Sequence, residues 1–211
     1  MTAYIVTGTD TDIGKSVLAA GLAGALLRRH GAARYWKPVQ AGLADGTDSD
    51  TIARLAPGVL VHPEAYRLAL PASPHEAAAA EGIVLDPARL VPPTGDGPLV
   101  IEGAGGAFVP LVAPPHGAPV LYADLFARWG LPVIVAARTY LGTINHTLLT
   151  IEALRARGCV IAGVAFIGDA NPESERVIPA ISGVPALGRL PRLSPLTAET
   201  LAAAMTALVL P

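Results

Sequence analysis

The run GTDTDIGKS at positions 8–16 indicates a phosphate-binding loop, because it follows an apolar stretch and precedes a helical pattern. In that context the N–H groups at the start of a helix hold phosphate oxygens, and the helix dipole favours their negative charge. Gly14 would permit close approach of the backbone, Lys15 would reach the β- and γ-phosphates, and Ser16 would bind Mg²⁺. Five residues separate Gly8 from Gly14, where the usual P-loop has four.

A second apolar run, LVIE at positions 99–102, ends in an acid and is followed by the small residues GAGG. A carboxylate at the C-terminal edge of a parallel strand lies beside the phosphate site in such folds, so Glu102 is the first candidate ligand for Mg²⁺. Asp50 is the second candidate, although acids near helix starts commonly act as caps. The GAGG run is not a dinucleotide fingerprint, because Phe108 stands where the third glycine would fall.

Arginine supplies 13 of the 15 basic residues, and the two lysines are Lys15 and Lys37. A lysine is a compact point charge that arginine does not replace at a tight site. Both lysines fall in motif-like segments, which indicates functional roles for both.

Composition narrows the class of protein. With 211 residues, 52% of them hydrophobic, and 15% charged, the chain is predicted to fold as one domain spanning 1–211. A net charge of −2 gives no basic surplus, so neither nucleic acid nor a membrane is expected as a partner. The single cysteine, Cys159, excludes an intrachain disulfide and fits a reducing cytoplasm. We interpret it as a buried strand residue, with a reactive thiol as the alternative.

Short apolar runs alternate with helical patterns along the chain. The predicted strands are 3–7, 33–37, 98–102, 131–137, 159–167 and about 186–190. The predicted helices are 15–30, about 49–56 with Asp48 as N-cap, 74–82 with Ser73 in a capping box, 120–129, 143–157, about 173–181 and 197–207. This alternation predicts an α/β chain with a P-loop NTPase-like three-layer fold, in which helices flank a mostly parallel central sheet.

Six segments, in order, resemble those of the dethiobiotin synthetase family. They are the run at 8–16, KPVQAG at 37–42, SD at 49–50, PASPH at 71–75, EGAGG at 102–106 and LGTINH at 141–146. The resemblance implies that 7,8-diaminopelargonate, CO₂ and ATP give dethiobiotin, ADP and phosphate through a carbamate and a carbamic–phosphoric anhydride. Carbamate and triphosphate are both anionic, so cations must bridge them.

The resemblance also implies roles for individual residues. The catalytic residues would be Lys37, Lys15 and Thr11, and the Mg²⁺ ligands Ser16, Asp50 and Glu102. The nucleotide-binding residues would be Asp12, Ile13, Gly14, Lys15, Ser16, Val17, Asp50, Glu102, Gly103, Ala104, Gly105, Gly168, Asp169, Pro191, Arg192 and Leu193. The substrate-binding residues would be Thr11, Lys37, Ala41, Gly142, Thr143, Ile144 and Asn145.

Gly142 and Thr143 begin a predicted helix, whose free N–H groups can hold the carboxylate tail of the substrate. In the family that the chain resembles, this loop comes from the second subunit, so we expect a homodimer with composite sites. An ordinary helix cap is the alternative interpretation of the same two residues.

The sequence departs from the family pattern at three positions. Ala41 stands where members often carry a hydroxyl, and Asp12 where many have Glu. Gly168 stands where many members place an asparagine that reads adenine. A lost base-reading pair removes roughly 1–3 kcal/mol of selectivity, so we expect a relaxed nucleotide preference.

Two other classes of protein share a similar P-loop. One is a ligase of the cobyrinic-acid-synthetase type, whose glutaminase half needs a nucleophilic cysteine and a longer chain. The other is a partitioning ATPase that acts as a dimerising switch. Such switches usually carry an extra lysine early in the loop, where this chain has Thr9, Asp10 and Thr11.

Overall fold

The computed structural model describes residues 2–210 and contains a seven-stranded parallel sheet with helices on both faces. The strands are β1 (Ala3–Gly8), β2 (Arg34–Trp36), β3 (Val39–Ala41), β4 (Leu60–His62), β5 (Tyr66–Leu68), β6 (Leu99–Gly106), β7 (Pro110–Val112), β8 (Val120–Leu121), β9 (Val133–Arg138), β10 (Ile161–Ile167) and β11 (Ala186–Leu190). The helices are α1 (Lys15–His30), α2 (Asp48–Leu55), α3 (Pro74–Ala80), α4 (Tyr122–Trp129), α5 (Thr143–Arg155), α6 (Pro172–Ser182) and α7 (Ala198–Ala204).

The strand order β11-β10-β9-β1-β6-β2-β4 puts β1 in the middle of the sheet. Alternate residues of β1 face opposite sides, as the period of a strand requires. Ile5 belongs to a core that includes residues of α4, α5 and α6, whereas Val6 belongs to a core that includes residues of α1, α2 and α7. The predicted three-layer, mostly parallel α/β fold is confirmed.

The register of the central strands brings distant motifs together. β1 pairs Val6 with Glu102 of β6, and β2 pairs Trp36 with Ile101. Lys37, which follows Trp36, therefore lies beside Glu102, which follows Ile101. The carboxyl ends of β1 and β2 thus bring the phosphate loop and Lys37 beside Glu102, which lies within β6 rather than at its end.

Several local predictions need correction. Strand β6 extends through the glycine-rich run to Gly106, because that run continues the pairing with β1. Cys159 is buried but precedes β10, so it is not a strand residue. Thr47, rather than Asp48, is the N-cap of α2. The Ser73 hydroxyl does not cap α3 and instead lies 3.0 Å from His75 Nδ1.

Two small strand pairs were not predicted. β3 pairs in parallel with β5, and β7 pairs antiparallel with β8. The last predicted helix ends at Ala204 and continues as a short 3₁₀ turn, Met205–Ala207. Within residues 2–210, no helix is long and apolar enough to cross a membrane.

Candidate active site

The phosphate loop occupies the turn between β1 and α1. Gly14 is the N-cap of α1 and has a left-handed backbone, with φ of 92°. Glycine adopts this conformation without the penalty that a side chain brings. The turn aims the first N–H groups of α1 out of the sheet edge, where a phosphate would meet the positive end of the helix dipole.

A cleft of about 790 Å³ opens over this loop. The predicted residues that line it are Thr11, Asp12, Ile13, Gly14, Lys15, Ser16, Val17, Lys37, Ala41, Glu102, Ala104 and Gly105. The structure thus brings the phosphate loop, Lys37 and Glu102 to one cavity. Gln40 and Arg54 also line the cleft and were not among the predicted site residues.

Lys37 is the centre of a buried ionic network. Its ammonium lies 2.7 Å from Asp48 Oδ2 and 3.3 Å from Glu102 Oε1, and it donates to the Gly103 carbonyl at 2.9 Å. Burial lowers the pKa of Lys37, but the Glu102 and Asp48 carboxylates together raise it by more, so the net shift is upward. Lys37 therefore stays protonated at physiological pH.

Glu102 is 1% exposed and is held from two sides. The Tyr35 hydroxyl donates to its Oε2 at 2.8 Å, while its Oε1 faces Lys37 and Ser16. Burial raises the pKa of Glu102, and the Lys37 ammonium pulls it down without cancelling the rise. Tyr35 was not predicted, although strand alternation places positions 35 and 37 on the same side.

The predicted magnesium ligand Asp50 does not lie with Ser16 and Glu102. Its Oδ2 accepts from the Thr47 N–H and hydroxyl, both at 2.8 Å, and closes a capping box at the start of α2. The structure places Asp48 there instead, with its Oδ1 2.5 Å from Ser16 Oγ. Gln40 orients this acid by accepting from the Asp48 N–H at 3.1 Å.

The oxygen atoms of Ser16, Asp48 and Glu102 fit a hard divalent cation. Ser16 Oγ lies within 2.8 Å of oxygens from both acids, yet its single proton can be donated to only one of them. Mg²⁺ is typically held by one or two carboxylates, waters and substrate phosphates rather than by an all-protein cage. Residues 2–210 contain no cluster of three or more His, Cys, Asp or Glu side chains suited to a metal.

The predicted base-binding residues lie outside the cleft lining. Gly168 follows β10, and its N–H donates to the Leu190 carbonyl at the end of β11. Its φ is 130°, and a Cβ there would meet Thr139 Oγ1 at 2.7 Å. Asp169 and Arg192 form an exposed pair, with Oδ2 and Nε 3.8 Å apart. Pro191 and Leu193 flank Arg192 in the sequence and also lie outside the cleft lining.

The predicted substrate-tail segment also lies outside the cleft lining of its own subunit. Gly142 is the N-cap of α5 with a left-handed backbone, and the buried Thr143 hydroxyl donates to the Arg138 carbonyl. Ile144 is half-buried and Asn145 exposed.

The sheet order and the loop between β1 and α1 define a P-loop nucleotide-binding fold. The ParA family ATPase from Chlorobium tepidum has the same fold, with a TM-score of 0.58 and 13% identity, over 98% of this chain and 91% of that one. The cell division ATPase MinD from Pyrococcus furiosus gives a TM-score of 0.57 at 15% identity, over 98% of each chain. These likenesses establish the fold alone.

Sequence comparison identifies the family. The profile described as "AAA domain" matches residues 2–200. The ATP-dependent dethiobiotin synthetase BioD of Rhizorhabdus wittichii is 61% identical over 97% of this chain and 94% of its own. That of Sphingopyxis alaskensis is 58% identical over 98% and 96%. The chain belongs to the ATP-dependent dethiobiotin synthetase family.

The pKa of Lys15 predicts proton uptake when a nucleotide binds. Burial and the nearby Lys37 charge lower the pKa of Lys15 to about 8. At pH 8 the Lys15 amine is therefore protonated in about half of the nucleotide-free molecules. A bound triphosphate favours the charged form, so calorimetry with MgATP at pH 8 should show uptake of up to about half a proton. Identical heats in buffers of different ionisation enthalpy would contradict this expectation, and the uptake should shrink at pH 7.

Proposed function

We propose that the chain converts 7,8-diaminopelargonate, CO₂ and ATP into dethiobiotin, ADP and phosphate, with Mg²⁺ as the metal. The proposal rests on the 54–61% identity of the chain to relatives of that name along almost the whole length. The geometry supports the chemistry, because Lys15 and Lys37 line the same cleft. They can neutralise a triphosphate and a carbamate that must approach each other.

Lys37 can serve the carbamate directly. Its three N–H donors face Asp48, Glu102 and the Gly103 carbonyl. Asp48 is the more exposed of the two acids and lines the cleft, so its contact with Lys37 is the one that an entering carbamate would exchange. The carbamate oxygen would then attack the γ-phosphorus as ADP leaves, which gives the carbamic–phosphoric anhydride. The second amine would attack the carbonyl carbon of that anhydride and close the ring, with phosphate as the leaving group and loss of the amine proton.

Ser16, Asp48 and Glu102 would hold Mg²⁺. The ion would supply positive charge to the β- and γ-phosphate oxygens. A cation beside Glu102 also favours the ionised form of a carboxyl group whose pKa is raised by burial.

A homodimer would complete the site. The segment 142–145 lies outside the cleft of its own subunit. The neighbouring Leu141 is 98% exposed, and Leu149 on α5 is 60% exposed. Large apolar side chains at a protein surface mark interaction sites when they cluster. A second copy would cover them and bring the N-terminus of its α5 to the substrate carboxylate.

The decisive assay measures phosphate release and product together. Purified protein with MgATP, bicarbonate and 7,8-diaminopelargonate should form dethiobiotin and phosphate in equal amounts. Omission of diaminopelargonate should abolish phosphate release. Equal ATP hydrolysis with and without the diamine would contradict the proposal and favour the switch-like class.

Replacement of Lys37 should lower kcat by at least tenfold. That loss corresponds to about 1.4 kcal/mol of transition-state stabilisation. Lys37→Ala and Lys37→Met should both show it in steady-state assays, because each removes the ammonium while Met keeps most of the stem. Thermal unfolding of both variants controls for the two carboxylates left without a cation. A folded variant with the wild-type kcat would exclude the assigned role.

Two acids two residues apart provide a matched pair. Asp48→Ala should lower activity at fixed Mg²⁺ by at least tenfold, because Asp48 faces Ser16 and Lys37. Asp50→Ala should keep nearly full activity and lower only the unfolding temperature, because its carboxylate caps α2. Titration of activity against Mg²⁺ concentration separates the two roles. The reverse result would restore Asp50 as the metal ligand.

Nucleotide preference should be relaxed. Gly168 has a positive φ of 130° and no side chain. The side-chain amide of Asn171, three residues further on, already donates to the Thr139 carbonyl and accepts from the Ser174 N–H. We expect kcat/KM values for ATP, GTP and CTP within about tenfold, since a missing base-reading pair costs roughly 1–3 kcal/mol. A preference for ATP of several hundredfold would show that other groups read the base.

A further inference from the structure

Arg138, at the end of β9, reaches across to the phosphate loop. One guanidinium nitrogen donates to the Thr11 carbonyl at 2.8 Å. Another donates to the Tyr140 hydroxyl, and the guanidinium carbon lies 5.2 Å from the centre of the Tyr140 ring. Both terminal nitrogens of the guanidinium are therefore held, one by the phosphate loop and the other by Tyr140.

The carbonyl that accepts the hydrogen bond from Arg138 belongs to the peptide between Thr11 and Asp12. Asp12 has φ of 52°, and among residues 2–210 it is the non-glycine residue with a positive φ. Asp tolerates this conformation better than most residues, but it persists only where the surroundings hold it. The contact from Arg138 therefore falls on the peptide whose geometry most needs support.

Other contacts on this stretch come from within the loop region. The Thr11 N–H donates to Asp10 Oδ1 at 2.7 Å, and Lys15 donates to the Asp10 carbonyl at 2.8 Å. Under the proposed function, Lys15 must also share its donors with phosphate oxygens. Arg138 lies on β9, outside the loop, so its hydrogen bond to the Thr11 carbonyl does not use a donor of the phosphate loop itself. Arg138 also adds a positive charge beside a loop that carries the exposed acids Asp10 and Asp12.

We propose that Arg138 is a positioning residue that fixes the Thr11–Asp12 peptide so that the phosphate loop is preformed for the nucleotide. This inference rests on the proposed function of the same cleft. It concerns nucleotide affinity rather than the chemical step, since Arg138 acts through the loop and not on the reacting atoms.

The test compares Arg138→Gln with Arg138→Lys. Gln removes the charge and shortens the reach, so KM for ATP and the calorimetric Kd for MgADP should each rise about tenfold while saturating kcat changes less than threefold. Lys retains a positive donor and should recover part of the affinity. Arg176→Gln is the matched control, because Arg176 pairs with Glu173 on the exposed face of α6. It should leave both constants unchanged.

Three results would overturn the inference: an unchanged nucleotide Kd in Arg138→Gln, a loss confined to kcat, or a fall in unfolding temperature without a change in affinity. The calorimetric arm uses no diamine. A wild-type protein that binds MgADP but makes no dethiobiotin would therefore refute the proposed function while leaving the role of Arg138 measurable.

Discussion

The site depends on a buried cation held between two acids. Lys37 sits among Asp48, Glu102 and the Gly103 carbonyl, and taking such charges out of water costs several kcal/mol for each ion. That cost is offset only when the geometry satisfies nearly every donor and acceptor. Here Tyr35 and Ser16 complete the shell of Glu102. The strands and the start of α2 must therefore meet in one arrangement, since a half-formed network would leave an uncompensated charge.

The same network prepares the cleft for anionic ligands. A lysine already paired with carboxylates holds its ammonium in place without being free to attract any passing anion. Under the proposed function, a metal and two anions that enter together would exchange some of these contacts for their own, so the charges that they bring would meet partners already in place. The two lysines differ in this respect. The pKa of Lys15 is lowered to about 8, while that of Lys37, which is paired with the two carboxylates, is raised.

The sequence was sufficient for the large features and insufficient for those decided within one turn. The continuous apolar runs before Gly8 and at Glu102 predicted strands, and the observed register of these strands then brings Lys37 beside Glu102. Asp48 and Asp50 were a different problem. Successive residues of a helix point about 100° apart, so the shift of the cap to Thr47 decides which acid faces the cleft. Three-residue strands such as β3 and β5 are too short to show a period.

The central position of β1 has a consequence for the order in which the protein assembles. The phosphate loop lies within the first 16 residues, but β1 is flanked by β6 and by β9, which begins at Val133. Closing such long loops must precede the contacts that reward them, which slows parallel sheets. During synthesis β1 therefore stays unpaired on both sides until β6 has left the ribosome, and on one side until β9 has followed.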